Sequence, residues 1–497
     1  MKAGSADRGK DGEGPVRLKR PWLALAVALL LAGCTAMSGT GGPTAAVFGT
    51  DQPQTAGPAP VDSEENSRIV AAYGGIYHDT KVEQTLVPIV SRIVSASNRP
   101  DLSFHVTILN TPTVNAFALP GGFLYVTRGL LALANDSSEV AAVLAHEMGH
   151  IIGNHAAQRE QKAREALIVG RAVGDVLQDD SSGQLALATS QRTLASFSRQ
   201  QELEADAIGV GIIGKAGYDA FAAARFLTAM QNFSDFRSTG TVRDKQPDFL
   251  ASHPSTPQRV QFAEQAARQF GAPGTGDAGR DAYLDGIDGM VFGDDPSQGF
   301  VRDRTFYHPA LSIGFTVPVG FVIDNTSNAV LATGVDGTAL RFDAVGLAVG
   351  TDLAEYLKSG WVNGLDESSV RSFSVNGLQA ASAEAQAKGW FFQVAVIKGA
   401  GAATYRFIFA NEARSDAFKQ EAQATVDSFH SLNPDEVAGL KVLHIHVVVA
   451  AAGDTETSLA RRMRGVDRPE DLFRFLNDLQ PGAPIAVGTT LKIVDDR

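Results

Sequence analysis

The pattern of apolar positions is most regular between residues 136 and 152. Asp136 and Glu139 have the spacing of a capping box, in which a side chain at the helix start accepts a hydrogen bond from the backbone three residues on. Apolar residues then recur every three or four positions, as on the buried face of an α-helix; they are Val140, Val143, Leu144, Met148, Ile151 and Ile152. The pattern predicts a helix that begins near Ser137.

From residue 306 onward, short runs of β-branched and aromatic residues alternate with turn residues. Such runs predict strands; they cover 312–317, 329–332, 339–342, 390–397 and 403–410. Helical patterns fall at 352–359 and 415–429. Residues 300–434 are therefore predicted to form an α/β domain, in which an antiparallel sheet carries helices on one or both faces.

The last segment, residues 440–497, predicts a small βααβ domain. Its predicted parts are a strand at 442–449, a Gly-Asp-Thr turn at 453–455, helices at 458–463 and 469–476, and a strand at 488–494. His444 and His446 share one face of the first strand. Because two candidate ligands without a third do not make a metal site, we interpret them as ordinary strand residues.

Near the N-terminus, basic residues precede an apolar stretch from Trp22 to Ala32. Its eleven residues are too few to span a hydrocarbon core, which needs about 20. Residues 1–33 are therefore predicted to be a signal peptide. Residues 34–62 have almost no large apolar side chains and predict a flexible tether. The Gly- and Asp-rich residues 273–299 predict a linker.

Charge and cysteine content limit the partners and metal sites that this chain can have. The formal net charge is −12 without a basic stripe, which argues against a nucleic-acid partner. Cys34 is the single cysteine in 497 residues, so an intramolecular disulfide and a Cys-based zinc site are both excluded. Any metal that this chain binds must be held by His, Asp and Glu.

The predicted helix at Ser137 carries the H-E-x-x-H pattern, His146-Glu147-Met148-Gly149-His150. Residues four apart share one helix face, so both imidazoles can reach one Zn²⁺, and Glu147 lies close enough to hold the attacking water. The alternative is a pair of core histidines with a buried Glu. A catalytic zinc also needs a third protein ligand.

Two nearby candidates for the third ligand fail on spacing. The metzincin pattern requires a histidine where this chain has Ala156. His155 lies nine residues beyond His146, which on a continuous helix directs it to the opposite side. We therefore interpret His155 as a polar-face residue and reject it as a ligand.

A downstream acidic segment supplies a better candidate. Glu202 and Asp206 are four apart and share one helical face, while Glu204 points elsewhere. Glu202 is thus placed to ligate zinc, and Asp206 to accept the outer N–H of a ligating histidine. The alternative is a solvated acidic helix face.

Together, the H-E-x-x-H helix and the following E-x-x-A-D segment resemble the CAAX prenyl endopeptidase family of zinc metallopeptidases, in its bacterial outer-membrane BepA-like branch. The resemblance implies a mainly α-helical zinc metallopeptidase domain with a small sheet over residues 63–272 and one Zn²⁺ per chain. The implied roles are zinc ligand for His146, His150 and Glu202, general base for Glu147, and hydrogen-bond acceptor behind a ligand for Asp206.

Two further segments strengthen the resemblance. The first half of residues 115–126 is similar to the family's edge strand, on which an extended substrate hydrogen-bonds its backbone; the implied substrate-binding residues are Asn115, Ala116, Phe117 and Ala118. His253 resembles the histidine of the family's H-P segment. It is implied either as an extra zinc ligand in a closed state or as a proton donor to the oxyanion in an open one. The alternative is a helix-capping loop histidine.

The segment from Gly209 to Gly214 matches G-x-G-x-x-G, but it continues a helix instead of following a strand. We interpret these glycines as sites of close helix packing, not as a dinucleotide-binding loop.

Three further resemblances concern the remaining segments of the chain. The order of elements in residues 300–434 resembles PsbP-like domains, and residues 440–497 resemble LysM modules, which bind N-acetylglucosamine polymers; the alternative for the latter is a degenerate packing module. Residues 31–34, Leu-Ala-Gly-Cys, resemble the bacterial lipobox, which implies cleavage before Cys34 and lipid attachment to it. Thr35 is not the Asp that implies inner-membrane retention, so we expect an outer-membrane anchor facing the periplasm.

The sequence leaves two hypotheses of different classes. The first is a lipid-anchored periplasmic zinc endopeptidase that acts on misfolded or misassembled cell-envelope proteins. The second is a non-catalytic lipoprotein that holds peptidoglycan or client proteins and keeps zinc for structure. A general base beside the metal argues for the first, because a structural zinc needs none.

Overall fold

The structure is a computed structural model, and the residues that it describes are 63–99, 103–119, 121–159, 161, 197–238, 249–326, 329–466 and 468–496. The predicted signal peptide, the tether up to residue 62 and Cys34 lie outside these ranges. In the described part of the chain, no helix has both the length and the apolar character that a membrane span requires.

The N-terminal part of the described chain is mainly helical. Its helices are α1 (Ser63–Ala72), α2 (Thr80–Ala96), α3 (Arg128–Leu133), α4 (Ser137–Ile152), α5 (Arg199–Lys215), α6 (Ala222–Ser238), α7 (Phe249–Ser252), α8 (Pro257–Ala267) and α9 (Arg280–Ile287). A three-stranded sheet joins them, with β1 (His105–Leu109), β2 (Ala116–Leu119) and β3 (Phe123–Thr127). The order is β1-β3-β2, with β1 parallel and β2 antiparallel to β3, which leaves β2 at one edge.

Helix α4 begins at Ser137, which confirms the predicted start. The Asp136 side chain accepts from the backbone N–H of Glu139 at 2.9 Å. Every residue from Ser138 to His150 is buried, so α4 is a core helix enclosed on all sides.

Helix α5 begins with a capping box between Ser198 and Gln201 and packs across α4. The two backbones approach closely where glycine removes a side chain. A Cβ on Gly149 would lie 2.8 Å from the carbonyl oxygen of Ala205, and a Cβ on Gly209 would lie 3.0 Å from the backbone nitrogen of His146. This close crossing brings the H-E-x-x-H segment against the acidic segment.

The central residues form two antiparallel sheets, as the strand-like runs predict. Strand β4 (Val291–Phe292) precedes these sheets and belongs to neither of them. The strands of the two sheets are β5 (Phe300–Arg302), β6 (Thr305–His308), β7 (Ile313–Thr316), β8 (Val322–Asn325), β9 (Val330–Thr333), β10 (Ala339–Gly346), β11 (Arg371–Val375), β12 (Leu378–Ala387), β13 (Trp390–Lys398), β14 (Ala403–Asn411) and β15 (His430–Ser431). Seven of them follow the order β11-β12-β13-β14-β10-β9-β8, and four follow β15-β7-β6-β5.

Helices lie on both faces of the seven-stranded sheet. They are α10 (Leu353–Lys358) and α11 (Asp416–Asp427). This region also contains helix α12 (Pro434–Gly439) and two 3₁₀ turns, Pro309–Leu311 and Glu367–Ser369. Phe418 of α11 packs into an aromatic core with Phe315, Phe342 and Phe407, and Leu357 of α10 packs against the other face. The antiparallel sheet with helices on its faces is thus confirmed.

Residues 443–495 have the predicted order strand, helix, helix, strand. The elements are β16 (Leu443–Val449), α13 (Glu456–Ala460), α14 (Pro469–Leu476) and β17 (Thr490–Asp495), with β16 and β17 antiparallel. The order fits a LysM-like unit, and the identity of this unit stays a prediction.

The prediction of a linker over residues 273–299 is wrong for residues 280–292. Helix α9 and strand β4 lie there, and β4 pairs with β16. Tyr283, Leu284 and Ile287 are fully buried in the N-terminal core. Three apolar residues on one short helix give too little periodicity to stand out among the surrounding Gly and Asp, and packing rather than local propensity stabilises this helix.

Candidate metal centre

Four buried side chains converge where α4, α5 and the end of α7 meet. His146 and His150 lie on α4, Glu202 lies on α5, and His253 follows α7 directly. One ligand atom of each lies within 4.8 Å of all the others, and each residue is at most 6% exposed. Within the described ranges, no other group of three or more His, Cys, Asp or Glu residues is arranged to hold a metal ion.

The spacing of these atoms fits a tetrahedral zinc ion. His146 Nε2 lies 3.1 Å from His150 Nε2 and 3.3 Å from His253 Nδ1. His253 Nδ1 lies 3.1 Å from Glu202 Oε1. Ligands that bind zinc at ~2.0–2.1 Å in a tetrahedron lie roughly 3.3 Å from one another. The donor set of three histidines and one carboxylate is therefore suited to one Zn²⁺.

Asp206 and Arg259 support this cluster from behind. Asp206 Oδ1 lies 2.9 Å from His146 Nδ1, where a carboxylate holds a ligating histidine in one tautomer. Arg259 donates to both oxygens of Asp206 at 2.7 Å, and its Nη1 lies 2.8 Å from Glu202 Oε2. Burial alone would raise the pKa of Asp206, but hydrogen bonds from Arg259 and His146 lower it to about 2. Asp206 thus stays ionised behind the cluster.

Sequence reasoning missed Arg259. Its one signal is its position six residues after His253, at the start of helix α8, whose first turn Thr256 caps. A single arginine at such a position is common in any helix, and only the folded chain shows that it bridges two carboxylates.

Glu147 lies between the cluster and the small sheet. Its Oε1 is 3.6 Å from His253 Nε2, and it accepts a hydrogen bond from the backbone N–H of Ala118. Burial, and then the nearby charge of Glu202, raise the pKa of Glu147 well above its usual range. A carboxyl group with a raised pKa is suited to take up and return a proton near neutral pH.

The predicted substrate-binding residues lie on or beside edge strand β2. Asn115 directly precedes the strand, and Ala116, Phe117 and Ala118 belong to it. The Phe117 ring stacks on Tyr125 with 4.8 Å between ring centroids, so this side chain packs on its own sheet. The Ala118 N–H, in contrast, is directed at Glu147, which brings the edge of β2 to the candidate site.

The interpretation of His155 as a polar-face residue is wrong. Helix α4 ends at Ile152, and Asn154 has a φ of 56°, so the chain turns before a further helical segment at 155–159. This turn directs His155 back toward the site. It is fully buried, and its Nδ1 lies 2.9 Å from Nδ1 of His150. His155 is outside the ligand cluster, in line with its rejection as a ligand.

Neither the glycine motif nor the two strand histidines contribute a ligand to the cluster. Gly209 packs against α4, which confirms the interpretation of close helix packing, whereas a Cβ on Gly211 would meet open space. His444 and His446 lie on β16, where His446 Nε2 is 3.0 Å from Asp495 Oδ1.

Comparison with known proteins matches residues 80–267 to the model of Peptidase family M48. Similar curated proteins include a beta-barrel assembly-enhancing protease of Yersinia pestis, 30% identical over 212 residues that cover 41% of this chain and 42% of that protein. They also include the mitochondrial metalloendopeptidase OMA1 of Schizosaccharomyces pombe, 32% identical over 207 residues that cover 41% of this chain and 57% of that protein. The chain thus spans about two fifths of the length of the assembly-enhancing proteases that it matches.

Among solved structures, cyanobacterial PsbP from Synechocystis matches with 13% identity and a TM-score of 0.21, over 26% of this chain and 91% of that one. A TM-score of this size does not establish a shared fold, so the PsbP-like resemblance stays a prediction. The M48 match, in contrast, includes all four residues of the ligand cluster together with Glu147, Asp206 and Arg259. Residues 80–267 therefore form a zinc metallopeptidase domain of Peptidase family M48.

Proposed function

We propose that this chain is a zinc-dependent endopeptidase with Glu147 as its general base. The observation that carries the proposal is the position of Glu147, a buried carboxyl group of raised pKa beside a zinc-ligand cluster and in contact with an edge strand. A structural zinc site has no use for such a group.

The chemistry follows from these positions. Zinc, when bound, polarises a peptide carbonyl and makes water a stronger acid. Glu147 takes the proton of the attacking water and passes it to the leaving amine. An extended peptide that pairs with β2 would lie along Ala116 and Ala118, and the Ala118 contact with Glu147 aligns the peptide with the base.

A ligand atom of His253 lies within 4.8 Å of those of His146, His150 and Glu202, which supports its role as an extra zinc ligand in a closed state. A catalytic zinc keeps one position open for water or substrate. In the proposed reaction His253 would therefore have to leave the cluster, and its alternative role, proton donor to the carbonyl oxygen, would apply to that open state.

As substrates we propose misfolded or misassembled cell-envelope proteins. The support is the similarity to proteases whose names describe enhancement of beta-barrel assembly. We propose the outer membrane, facing the periplasm, as the location, with a lipid on Cys34 as the anchor. The support for the anchor is the lipobox-like sequence at residues 31–34.

The second candidate is a non-catalytic lipoprotein that binds peptidoglycan or client proteins. The closed ligand set favours it, because structural zinc sites are fully ligated by the protein. In either candidate, residues 440–497 would contact the peptidoglycan if they act as a LysM module. The two candidates differ in what they require of Glu147.

Replacement of Glu147 by Gln separates the candidates. The amide keeps the volume of the side chain but cannot take a proton, so zinc should stay bound at one ion per chain while cleavage of an unfolded envelope protein falls at least ~10²-fold. Zinc is measured by elemental analysis and cleavage by gel electrophoresis, with and without a chelator.

Glu264→Gln is the matched control, since Glu264 lies on α8 outside the ligand cluster and its side chain is 44% exposed. It should leave zinc content and cleavage unchanged. Substantial turnover by the Glu147→Gln protein would mean that the base lies elsewhere. A zinc-loaded wild-type protein that cleaves none of the unfolded proteins tested would favour the second candidate.

A further inference from the structure

His155 contacts the ligand His150 on the side that faces away from the cluster. The Nδ1 atoms of the two rings lie 2.9 Å apart, and His150 Nε2 is directed at His146 Nε2. On its other side, His155 Nε2 lies 3.5 Å from a carboxylate oxygen of Glu204. His150, His155 and Glu204 thus form a row that leads outward from the ligand cluster. The side chain of Glu204, at its outer end, is about half exposed.

Hydrogen-bond chemistry sets the direction of this row. A histidine that ligates zinc through Nε2 has its lone pair on that atom and its proton on Nδ1. The proton of His150 Nδ1 is therefore donated to Nδ1 of His155. His155 must then carry its own proton on Nε2, the atom that faces the Glu204 carboxylate.

The local backbone is arranged to admit the His155 ring. Gly153 has a φ of −73°, which any residue adopts, so its backbone conformation does not require glycine. A Cβ there would lie 2.5 Å from His155 Nε2 and about as close to the ring carbons at 2.9 and 3.0 Å. Gly153 is needed because the imidazole of His155 occupies the space of a side chain.

We propose that His155 is a positioning residue for the metal: it fixes the tautomer and the orientation of His150, and the negative charge of Glu204, 3.5 Å from His155 Nε2, favours the His155 tautomer that carries its proton on that atom. The carboxylate of Asp206 contacts His146 directly. In the case of His150, the imidazole of His155 lies between the ligand and the carboxylate of Glu204. The inference rests on zinc ligation by His150 and not on peptide cleavage, so failure of the Glu147 test would leave it standing.

The test is the dissociation constant for Zn²⁺, measured by competition with a chromophoric chelator. Loss of an outer hydrogen-bond partner weakens metal binding ~10–100-fold, and we expect this for His155→Ala. His155→Asn should recover most of the affinity, because its amide oxygen can take the position of Nδ1. The d–d spectrum of the Co²⁺-substituted protein should change in His155→Ala and return toward wild type in His155→Asn.

Gly153 provides a double-mutant cycle. Gly153→Ala displaces the ring and should weaken zinc binding to a similar extent. In the His155→Ala background, where no ring remains to displace, the same change should have no further effect. Gly211→Ala, a glycine-to-alanine change into open space on α5, is the control and should leave zinc binding unchanged.

Two results would overturn the proposal. One is wild-type zinc affinity in His155→Ala. The other is a Gly153→Ala effect that persists in the His155→Ala background, which would show a backbone effect instead. If His155→Ala fails to fold, as judged by circular dichroism of the zinc-free protein, Glu204→Ala carries the test. It removes the support of His155 from a half-exposed position, and unchanged zinc affinity in that variant would overturn the role of Glu204 and of the row.

Discussion

At the scale of single residues, two acidic side chains of α5 two positions apart have opposite surroundings. Glu202 is 2% exposed and lies among the ligand histidines, whereas about half of the Glu204 side chain is exposed. Residues two apart on a helix point in different directions, so one of them belongs to the cluster and the other supports it from outside.

Glu202→Ala should therefore lose stoichiometric zinc, since it removes a ligand from the cluster. Glu204→Ala should keep one zinc per chain when no chelator competes, because it affects only the hydrogen bond behind His150. Elemental analysis of the two purified proteins checks this pair. Full occupancy in Glu202→Ala together with loss of zinc in Glu204→Ala would place the third ligand two residues further on.

The helical spacing and the motif resemblance predict His146, His150, Glu202 and Asp206 because each pair lies four residues apart on one continuous helix. The spacing argument places His155 on the wrong side because His155 does not lie on a continuous helix with His146. Its direction depends on a single residue, Asn154, with positive φ. Arg259 depends on how α8 packs against α5, which no local spacing encodes. Sequence reasoning thus identifies site residues within a regular element. It misses those that reach the site through a turn at the end of a helix or from a distant helix.

At the scale of elements, the site depends on how closely α4 and α5 cross. Gly209 lies against the backbone of His146, and Gly149 lies against that of Ala205. Metal ligands from both helices can meet only if the two backbones are this near. Gly149 and Gly209 therefore act on the site through packing, although they contact no ligand atom of the cluster.

Gly209→Ala should destabilise the protein by ~1–3 kcal/mol, as overpacking of a core does, and should also weaken zinc binding because the backbone of His146 must shift. Gly211→Ala is the matched control on the same helix. It meets open space and replaces a flexible residue within a helix, so it should raise the free energy of unfolding by up to ~1 kcal/mol. Denaturant unfolding measures both, and equal effects of the two changes would contradict the crossing argument.

The start of α4 and the antiparallel central sheet were predictable from capping and periodicity. Helix α9 was not, because its three buried apolar residues are stabilised by the core that they enter. The Tyr283 hydroxyl, for example, donates to the carbonyl oxygen of Leu131 at 2.6 Å. Elements of this kind are specified by tertiary contacts that become visible only in the folded chain.

At the scale of the whole molecule, the last strand is attached to the metallopeptidase segment through Lys492. This residue of β17 is fully buried, and its ammonium group donates to the carbonyl oxygens of Ala132, Leu133 and Ala134 at 2.8, 3.1 and 2.7 Å. These carbonyls lie at the C-terminal end of α3, where a cation is favoured. The α3–α4 connection that leads into the zinc-binding helix is thus held by the C-terminal segment.

The proposed membrane anchor is a property of the full-length protein, and Cys34→Ser tests it. Serine cannot form the thioether through which the proposed lipid is attached, so the variant should remain unprocessed or be released as soluble protein. Zinc content and cleavage by the released form should equal those of the wild type, because the described ligand cluster contains no residue before His146.

Thr35→Ser, a neighbouring change that keeps the cysteine, is the control and should stay membrane-bound. Membrane fractionation after a high-salt wash provides the measurement. If processed Cys34→Ser protein still sediments with the outer membrane, another surface of the protein attaches it and the lipobox interpretation is wrong.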